Sequence, residues 1–385
     1  MSYLKFKANN IFSGTEMFSD DYVLIAKQDG TIEAIVKQSE AGDDLQYFNG
    51  ILSPGFINTH CHLELSHLKG IIREKTGLVN FILDIVANRN SKEDIILQAI
   101  KDAEDTMLKN GIVAVGDICN TTYTLYQKKQ NNLAYYNFIE TSGWLPNIAE
   151  KKYNEAVNLY NQFSTITKKC SIVPHAPYSV SNELWCLIEK HFQNKIISIH
   201  NQEANAENEL FLNGTGAFMY LYQQMNITNN SFQPTKKSSL QSYFHWLENT
   251  QNILLVHNTC TSEKDIHFLH QQPEFIKHKL FFCLCPNANL YIEDTLPNIN
   301  LLRESNIQLT LGTDSLASNN NLNIVNEIKT LQTHYPKITL AEILQWATIN
   351  GAKALDMEDT LGSFEKGKKP GIILLENTND IKRLV

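Results

Sequence analysis

The chain has 385 residues, of which 43% are hydrophobic, 10% aromatic and 19% charged, and its formal net charge at pH 7 is −8. This composition supplies a sizeable core and excludes wholesale disorder, and the length exceeds that of one small domain. The negative charge argues against nucleic acid or an anionic membrane as the main partner, because binding to phosphates needs clustered Lys and Arg.

The two ends of the chain predict short extended segments. Residues 1–53 contain turn signals at Gly14, Asp29-Gly30 and Asn49-Gly50, and residues 355–385 are also broken by glycines. Neither end can bury a core alone. We therefore expect them to pair into one composite β-sandwich domain beside a catalytic domain at 54–354.

Eight short apolar runs alternate with helical patterns between residues 54 and 354. Runs of this length, rich in Ile, Val and Phe, are typical of strands buried on both faces. The runs are 55–62, 112–118, 134–139, 171–175, 196–200, 253–257, 280–284 and 307–311. Eight strand–helix alternations predict an α/β fold, a (β/α)8 TIM barrel. A doubly wound open sheet is the alternative, but its usual glycine fingerprint is absent from the sequence.

Helix signals between the runs are clearest at 91–109, where Ser91 is a candidate N-cap and Asp94 stands at the capping-box position. A helix is also predicted over 339–350, closed by Gly351. The segment 213–239 begins with a helical pattern and becomes polar and turn-rich, which suggests a lid or surface excursion above the fifth strand.

The seven cysteines are odd in number and form no regular framework, which favours free thiols in a cytoplasmic protein. The Cys283–Cys285 spacing is too tight for a zinc pair, so strand packing explains it better. The N-terminus lacks the apolar segment of a signal peptide, and no stretch approaches about 18 apolar residues. We expect a soluble, unexported protein that does not enter a membrane.

Histidines and one aspartate fall at the ends of the predicted strands, where barrel enzymes carry their chemistry. His60 and His62 close the first run at i and i+2, so both imidazoles face the same side. His200 ends the fifth run, His257 ends the sixth, and Asp314 follows the eighth. Each alone is also explained as a hydrogen-bonded residue at a barrel mouth. Together they predict a metal site.

Three imidazoles and one carboxylate suit Zn²⁺ or Fe²⁺ and are poor ligands for Mg²⁺ or Ca²⁺. An open coordination position would hold water and lower its pKa toward about 7, which predicts hydrolysis. Glu203, three residues after His200, can reach over such a site and pass protons to a ring nitrogen and a leaving amine. Its acidic neighbours Glu207 and Glu209 leave a solvated loop glutamate as the alternative.

The segments PGFINTHCHLE, SIHNQE, LLVHN and LGTDS resemble the strand-end motifs of the amidohydrolase superfamily, and the match covers nearly the whole chain. The chain is most similar to the mononuclear branch that contains cytosine, guanine, methylthioadenosine/adenosylhomocysteine and aminofutalosine deaminases. Its fourth run ends in VPHAP without a bridging lysine, and its seventh ends in CPNANL. The residues after His62 look most like those of aminofutalosine deaminases.

The resemblance implies one divalent metal, Zn²⁺ or alternatively Fe²⁺. Its implied ligands are His60, His62, His200 and Asp314. It also implies that Asp314 takes a proton from the attacking water, that His257 positions this water, and that Glu203 shuttles protons.

Three substrate contacts are implied as well. His175 would contact the substrate, Glu64 would reach a ribose hydroxyl, and Arg73 would reach a carboxylate. Packing at the strand end is the alternative for His175, and a surface salt bridge is the alternative for the other two.

The expected activity is deamination of a purine-type heterocycle, an adenine nucleoside such as aminofutalosine, methylthioadenosine or adenosylhomocysteine, by a protein that is possibly a homodimer. One alternative is hydrolysis of another C–N, imine or C–Cl bond on the same scaffold, with guanine, cytosine, formimino or triazine substrates. The other is a catalytically silent barrel that acts as a binding module.

Overall fold

The computed structural model describes residues 3–228, 232–377 and 380–385. In these ranges the strands are numbered β1 to β17 in chain order. They are Tyr3–Lys7, Asn10–Phe12, Met17–Phe18, Tyr22–Lys27, Ile32–Lys37, Gln46–Tyr47, Ile51–Pro54, Phe56–Cys61, Ile112–Cys119, Ala134–Thr141, Cys170–Pro174, Ile196–Asn201, Asn252–His257, Leu280–Leu284, Gln308–Leu311, Ile372–Asn377 and Asp380–Arg383.

Eight parallel strands, β8 to β15, form the barrel as two four-stranded halves in the orders β11-β10-β9-β8 and β12-β13-β14-β15. The halves are joined at both seams by backbone hydrogen bonds close to the strand ends. The amide of Asp314 donates to the carbonyl of His60 at 3.1 Å, and the amide of His200 donates to the carbonyl of His175 at 3.0 Å. The predicted TIM barrel is confirmed, and its two seams run through candidate site residues.

The small domain consists of two sheets, ordered β5-β4-β1-β6 and β17-β16-β7-β2-β3. Strand β16 pairs antiparallel with β7, so that Ile372 faces Pro54 and Leu375 faces Ile51. Phe6, Leu52 and Leu374 belong to the apolar cluster between the two sheets. The predicted pairing of the two chain ends is confirmed. The boundaries at 53/54 and 354/355 stay predictions.

Helices connect the strands and cover the barrel. The α-helices are Gln38–Ala41, Leu78–Asn88, Glu93–Lys109, Leu125–Lys128, Ala149–Phe163, Asn182–Ile188, Asn205–Asn213, Ala217–Gln224, Ser239–Tyr243, Glu263–His270, Glu274–Lys277, Pro286–Glu293, Ile299–Glu304, Ile324–His334, Leu340–Gln345 and Gly351–Ala354. Short 3₁₀ helices span Leu63–Leu68, Pro146–Ile148, Pro177–Ser179, Glu189–His191 and Phe244–Leu247, and Trp346–Asn350 is a π-helical turn. No helix among the described residues has the length and apolarity needed to cross a membrane.

Two helix ends differ from the prediction. The first long helix begins at Glu93 after Lys92, without a side-chain cap, so Ser91 is not its N-cap. The helical path of the last barrel segment continues through Gly351 to Ala354 instead of ending there. Gly351 is needed for close packing, because a Cβ at this position would lie 2.8 Å from Cβ of Ile57. A glycine inside the sequence pattern was therefore misinterpreted as a helix end.

Other predictions agree with the structure. The helix Ala217–Gln224 lies where the pattern placed it, and Met225 after it lines the central cavity described below. A lid role for 213–239 stays a prediction, and residues 229–231 of that segment lie outside the described residues. Cys283 and Cys285 are free and buried in the barrel wall, as strand packing requires.

Candidate metal centre and active site

Four side chains converge on one point at the carboxyl end of the barrel. Nε2 of His62 lies 3.2 Å from Nε2 of His60 and 3.2 Å from Nε2 of His200. Oδ1 of Asp314 lies 3.3 Å from Nε2 of His62 and 3.5 Å from Nε2 of His60. Donors about 2.1 Å from a tetrahedral ion stand about 3.4 Å apart. Nitrogen and oxygen lone pairs this close repel each other without a cation between them, so the donor set fits a divalent metal.

The local fold around Asp314 presents one carboxylate oxygen to this point. Ser318 donates its hydroxyl to Oδ2 at 2.6 Å, which leaves Oδ1 facing the histidines. The preceding Gly312 has to be glycine, because a Cβ there would lie 2.9 Å from Cβ of His60. Because Gly312 has no Cβ, the end of β15 can lie close to the end of β8, which brings Asp314 next to His60.

The ring of His200 is held in the tautomer that a ligand needs. Its Nδ1 lies 2.8 Å from the carbonyl oxygen of His175 and donates its proton there. Nε2 therefore carries a lone pair and points at the cluster.

His257 lies in the same region, but the proton of its ring is on the other nitrogen. Its Nδ1 lies 3.2 Å from the amide nitrogen of Asn289, which donates to it. The ring proton is then on Nε2, which has no hydrogen-bond partner among the described residues. Although one ligand atom each of His60, His200, His257 and Asp314 lies within 4.8 Å of the others, a protonated Nε2 suits a hydrogen-bond donor at the site better than a ligand.

The pKa shifts of two of the four donors favour the protonation states that bind a metal. Burial raises the pKa of Asp314, but hydrogen bonding to His60 and the neighbouring imidazoles outweigh it and hold this pKa well below its usual value. Burial lowers the pKa of His200 to about 4, with a further decrease from His175 and His60. The aspartate is thus charged and His200 neutral over the physiological range, which are the states that bind a metal.

Glu203 lies at the inner edge of this cluster and is 4% exposed. Its Oε1 is 3.5 Å from Nε2 of His257. Burial raises its pKa well above the usual value, and the charges of Asp314 and Glu207 raise it further. This environment favours the protonated form of the Glu203 carboxyl. The alternative of a solvated loop glutamate does not fit this burial.

Glu207 holds the loop that carries Glu203. Its carboxylate accepts hydrogen bonds from the backbone amides of Gln202 at 3.1 Å and Glu203 at 3.4 Å, and from the hydroxyl of Ser239. Its place in the sequence beside Glu209 leaves a solvated loop as the alternative for this segment. In the structure Glu207 is fully buried, whereas Glu209 is exposed.

A cavity of about 250 Å³ opens from the cluster. Its lining, apolar on one side with a few polar groups on the other, is typical of a small-molecule site. Its apolar side comes mainly from the helix Leu78–Asn88, and its polar side comes from the ends of the barrel strands. The polar lining includes His62, Asn120, Glu140, Ser142, His175, His200, Glu203, His257, Asp314 and Ser315.

The three predicted substrate contacts take different positions. His175 lines the cavity, with Nδ1 2.8 Å from the hydroxyl oxygen of Ser179. Arg73 is not brought to the cavity, since its side chain is 72% exposed and its guanidinium pairs with Asp84 at 3.2 Å. The predicted carboxylate contact of Arg73 does not fit this position, and the surface salt bridge does.

Glu64 is also turned away from the cavity. Its Oε2 accepts hydrogen bonds from the amides of Asn120 and Thr121 at 3.1 and 2.9 Å and from the hydroxyl of Thr121 at 2.8 Å. Its Oε1 lies 3.9 Å from the guanidinium of Arg89. The carboxylate is occupied by the chain itself, and the predicted ribose contact does not fit this arrangement.

Comparison with known proteins identifies the family. The Amidohydrolase family sequence model matches residues 51–384. The chain belongs to the amidohydrolase family. This amidohydrolase is 27% identical to an adenosine deaminase of Helicobacter pylori over 335 residues, which cover 84% of the chain and 78% of the relative.

Two solved structures share the fold of this amidohydrolase. An aminofutalosine deaminase from Helicobacter pylori, in complex with methylthio-coformycin, has a TM-score of 0.80 at 23% identity over 96% of this chain and 91% of that one. An adenosine deaminase from Xanthomonas campestris with bound zinc has a TM-score of 0.73 at 19% identity over 96% of this chain and 84% of that one.

Two charged residues of this amidohydrolase line the cavity and were missed from the sequence. Glu140 is the polar residue that follows the third apolar run, and Arg89 lies just beyond the helix Leu78–Asn88. The position of Glu140 at a strand end was a usable signal. Arg89 follows a helix of ordinary amphipathic pattern, and nothing in the sequence distinguishes it from a surface arginine.

Proposed function

We propose that this amidohydrolase deaminates the purine ring of an adenine nucleoside with water, using one divalent metal held by His60, His62, His200 and Asp314. The observation that carries the proposal is the buried carboxyl of Glu203, which lines the same cavity as the donor atoms of His62, His200 and Asp314. Hydrolysis of an amidine needs a proton donor beside the site of water attack, and Glu203 meets that need.

Zinc is the proposed metal, with Fe²⁺ as the alternative. Imidazole nitrogens and a carboxylate suit either ion, and the related deaminase from Xanthomonas campestris contains zinc. When bound, such an ion makes a water molecule acidic enough to be a nucleophile near neutral pH.

The protein's own residues move the protons. The carboxylate of Asp314 accepts a proton from the attacking water, while Nε2–H of His257 donates a hydrogen bond to the oxygen that adds to the ring carbon. The carboxyl of Glu203 donates its proton to the adjacent ring nitrogen. The proton that Asp314 took from the water then reaches the amino group, the carbon–nitrogen bond breaks, and ammonia leaves. The hydroxyl on the ring carbon returns a proton to Glu203 as it becomes a carbonyl.

The apolar side of the cavity supports a flat heterocycle as the ligand. Leu78, Phe81 and Ile85 lie on one helix and face the polar strand ends across the cavity. An aromatic ring can pack on this helix while its ring nitrogens face the polar groups. His175, whose pKa is lowered to about 4 by burial, offers a neutral imidazole at the polar side for the heterocycle.

Ammonia release from a substrate panel tests this proposal. We expect turnover of at least one adenine nucleoside among adenosine, methylthioadenosine, adenosylhomocysteine and aminofutalosine. Guanine, cytosine, a formimino compound and a chlorotriazine represent the alternative reactions. Turnover of one of those, with none of any adenine nucleoside, would contradict the proposed substrate class. We also propose a cytoplasmic protein without affinity for nucleic acid, with a homodimer as its candidate assembly.

A further inference from the structure

Glu140 has a buried carboxylate oxygen that nothing in the described chain satisfies. It lies near the end of β10, and its side chain is 6% exposed. Oε2 accepts a hydrogen bond from the side-chain amide of Asn120 at 3.0 Å. Oε1 has no hydrogen-bond partner among the described residues, and Glu140 lines the same cavity as Glu203. A buried acceptor without a donor is costly, which indicates that a ligand supplies the donor.

A second metal does not explain this oxygen. Glu140, His175 and His200 each offer a ligand atom within 4.8 Å of the others. The nitrogen of His200 that faces Glu140, at 3.6 Å, is Nδ1, and its proton is donated to the carbonyl of His175. Since Nε2 of His200 already points at the main cluster, no lone pair of this histidine remains for another ion.

A hydroxyl group is the donor that fits best. An ionised carboxylate only accepts hydrogen bonds, so its partner has to be a donor. Arg89 also lines this cavity and supplies the cation with which a negative ligand group would pair. A nucleoside whose ring lies at the metal centre carries a ribose with two adjacent hydroxyls. We propose that Oε1 of Glu140 accepts a hydrogen bond from a ribose hydroxyl, so that the site selects ribonucleosides over deoxynucleosides.

This inference rests on the proposed function and assigns a role that the sequence analysis gave to Glu64. The two carboxylates differ in one respect that decides between them. Oε2 of Glu64 accepts three hydrogen bonds from Asn120 and Thr121, and Glu64 is not among the residues that line the cavity, whereas Glu140 has an open oxygen there. Glu64→Gln is therefore a matched control, since it neutralises a second buried carboxylate nearby.

The test compares adenosine with 2′-deoxyadenosine and 3′-deoxyadenosine. In the wild type, removal of the recognised hydroxyl is expected to lower kcat/KM on the order of ten- to a hundredfold, since a charged acceptor is left unpaired. In Glu140→Gln the ratio of kcat/KM for adenosine to kcat/KM for the deoxynucleoside should fall to within about threefold of unity. The metal content should stay at the wild-type value. Glu64→Gln should keep the wild-type ratio.

Two outcomes of this kinetic test overturn the inference. The first is a wild type that treats all three nucleosides alike, a result that needs no variant. The second is a Glu140→Gln enzyme that keeps the wild-type ratio and loses turnover or metal equally with every substrate, which would mean that Glu140 only positions His200.

A binding measurement separates this inference from the proposed function. The affinity of the holoenzyme for inosine, 2′-deoxyinosine and 3′-deoxyinosine is measured by calorimetry, where no reaction occurs. Discrimination between these ligands that disappears in Glu140→Gln supports the inference even if no adenine nucleoside is deaminated. Absence of inosine binding to the wild type overturns it.

Discussion

Oε1 of Glu203 lies 3.5 Å from Nε2 of His257, and both side chains are buried beside the four converging donor atoms. In the proposed reaction the two residues have separate tasks, since Glu203 would transfer a proton and the Nε2–H of His257 would orient the attacking water. Glu203→Gln removes the transferable proton without changing the size of the side chain. We expect kcat to fall about a hundredfold or more, with the metal content unchanged, measured by ammonia release and elemental analysis.

The matched control for this variant is Glu209→Gln, six residues away and exposed. It should retain activity close to that of the wild type. A Glu203→Gln enzyme with near wild-type turnover would show that the proton donor is another group.

His200→Ala removes one donor of the metal centre and leaves a void between the remaining three. Metal content and activity are expected to fall together, because the other donors cannot close a four-coordinate site. The exposed His267→Ala variant is the control for a lost imidazole and should keep both. Activity that survives in His200→Ala at less than about 0.1 metal per chain would contradict a metal-dependent reaction.

Asn289 fixes the proton of His257 on Nε2 through its amide at 3.2 Å from Nδ1. In Asn289→Ala the ring can exchange tautomers and turn, so we expect kcat to fall about ten- to a hundredfold while the metal stays bound. The readouts are kcat, KM and metal content. An unchanged kcat would remove His257 from the reaction, and a loss of metal would make it a ligand instead.

The raised pKa of Glu207 predicts that the stability of the protein depends on pH. Burial raises its pKa from 4.5 to about 7 in spite of hydrogen bonds from Ser239 and two amides. Between about pH 4.5 and 7 the folded protein therefore keeps a proton that the unfolded chain has lost, so the free energy of unfolding falls as pH rises through this window. The total change from this residue is about 3 kcal/mol at most.

Glu207→Gln is neutral in both states and should show a flatter profile than the wild type. Chemical denaturation at pH 5, 6, 7 and 8 with saturating metal measures the slopes, and Glu209→Gln again serves as the control. Equal slopes for wild type and Glu207→Gln would mean that Glu207 is ionised in the folded protein below pH 5.

The barrel could be predicted because its strands are buried on both faces and leave continuous apolar runs. The run 196–200 corresponds to Ile196–Asn201, and the run 280–284 matches Leu280–Leu284. His60, His200 and His257 were found since strand ends mark chemistry in this fold. The same rule applied to Glu140 would have found it, because Glu140 follows the apolar run of β10.

Other features depend on contacts that no local pattern contains. Arg73 and Arg89 are similar in sequence context, and only the packing of the helix Leu78–Asn88 puts one at the surface and the other at the cavity. Gly351 has the sequence of a helix end, but its missing side chain serves the approach of Ile57. The Asn289 contact to His257 links segments 32 residues apart and is set by tertiary structure alone.

Titration of the metal-free protein with Zn²⁺, while ammonia release from an adenine nucleoside is followed, tests the central claim most directly. The four donors surround one point, so activity should rise linearly and reach its plateau at one equivalent of zinc per chain. A plateau at two equivalents would contradict the mononuclear centre. Full activity before zinc is added, or none at any zinc concentration with every adenine nucleoside, would contradict the metal-dependent deaminase itself.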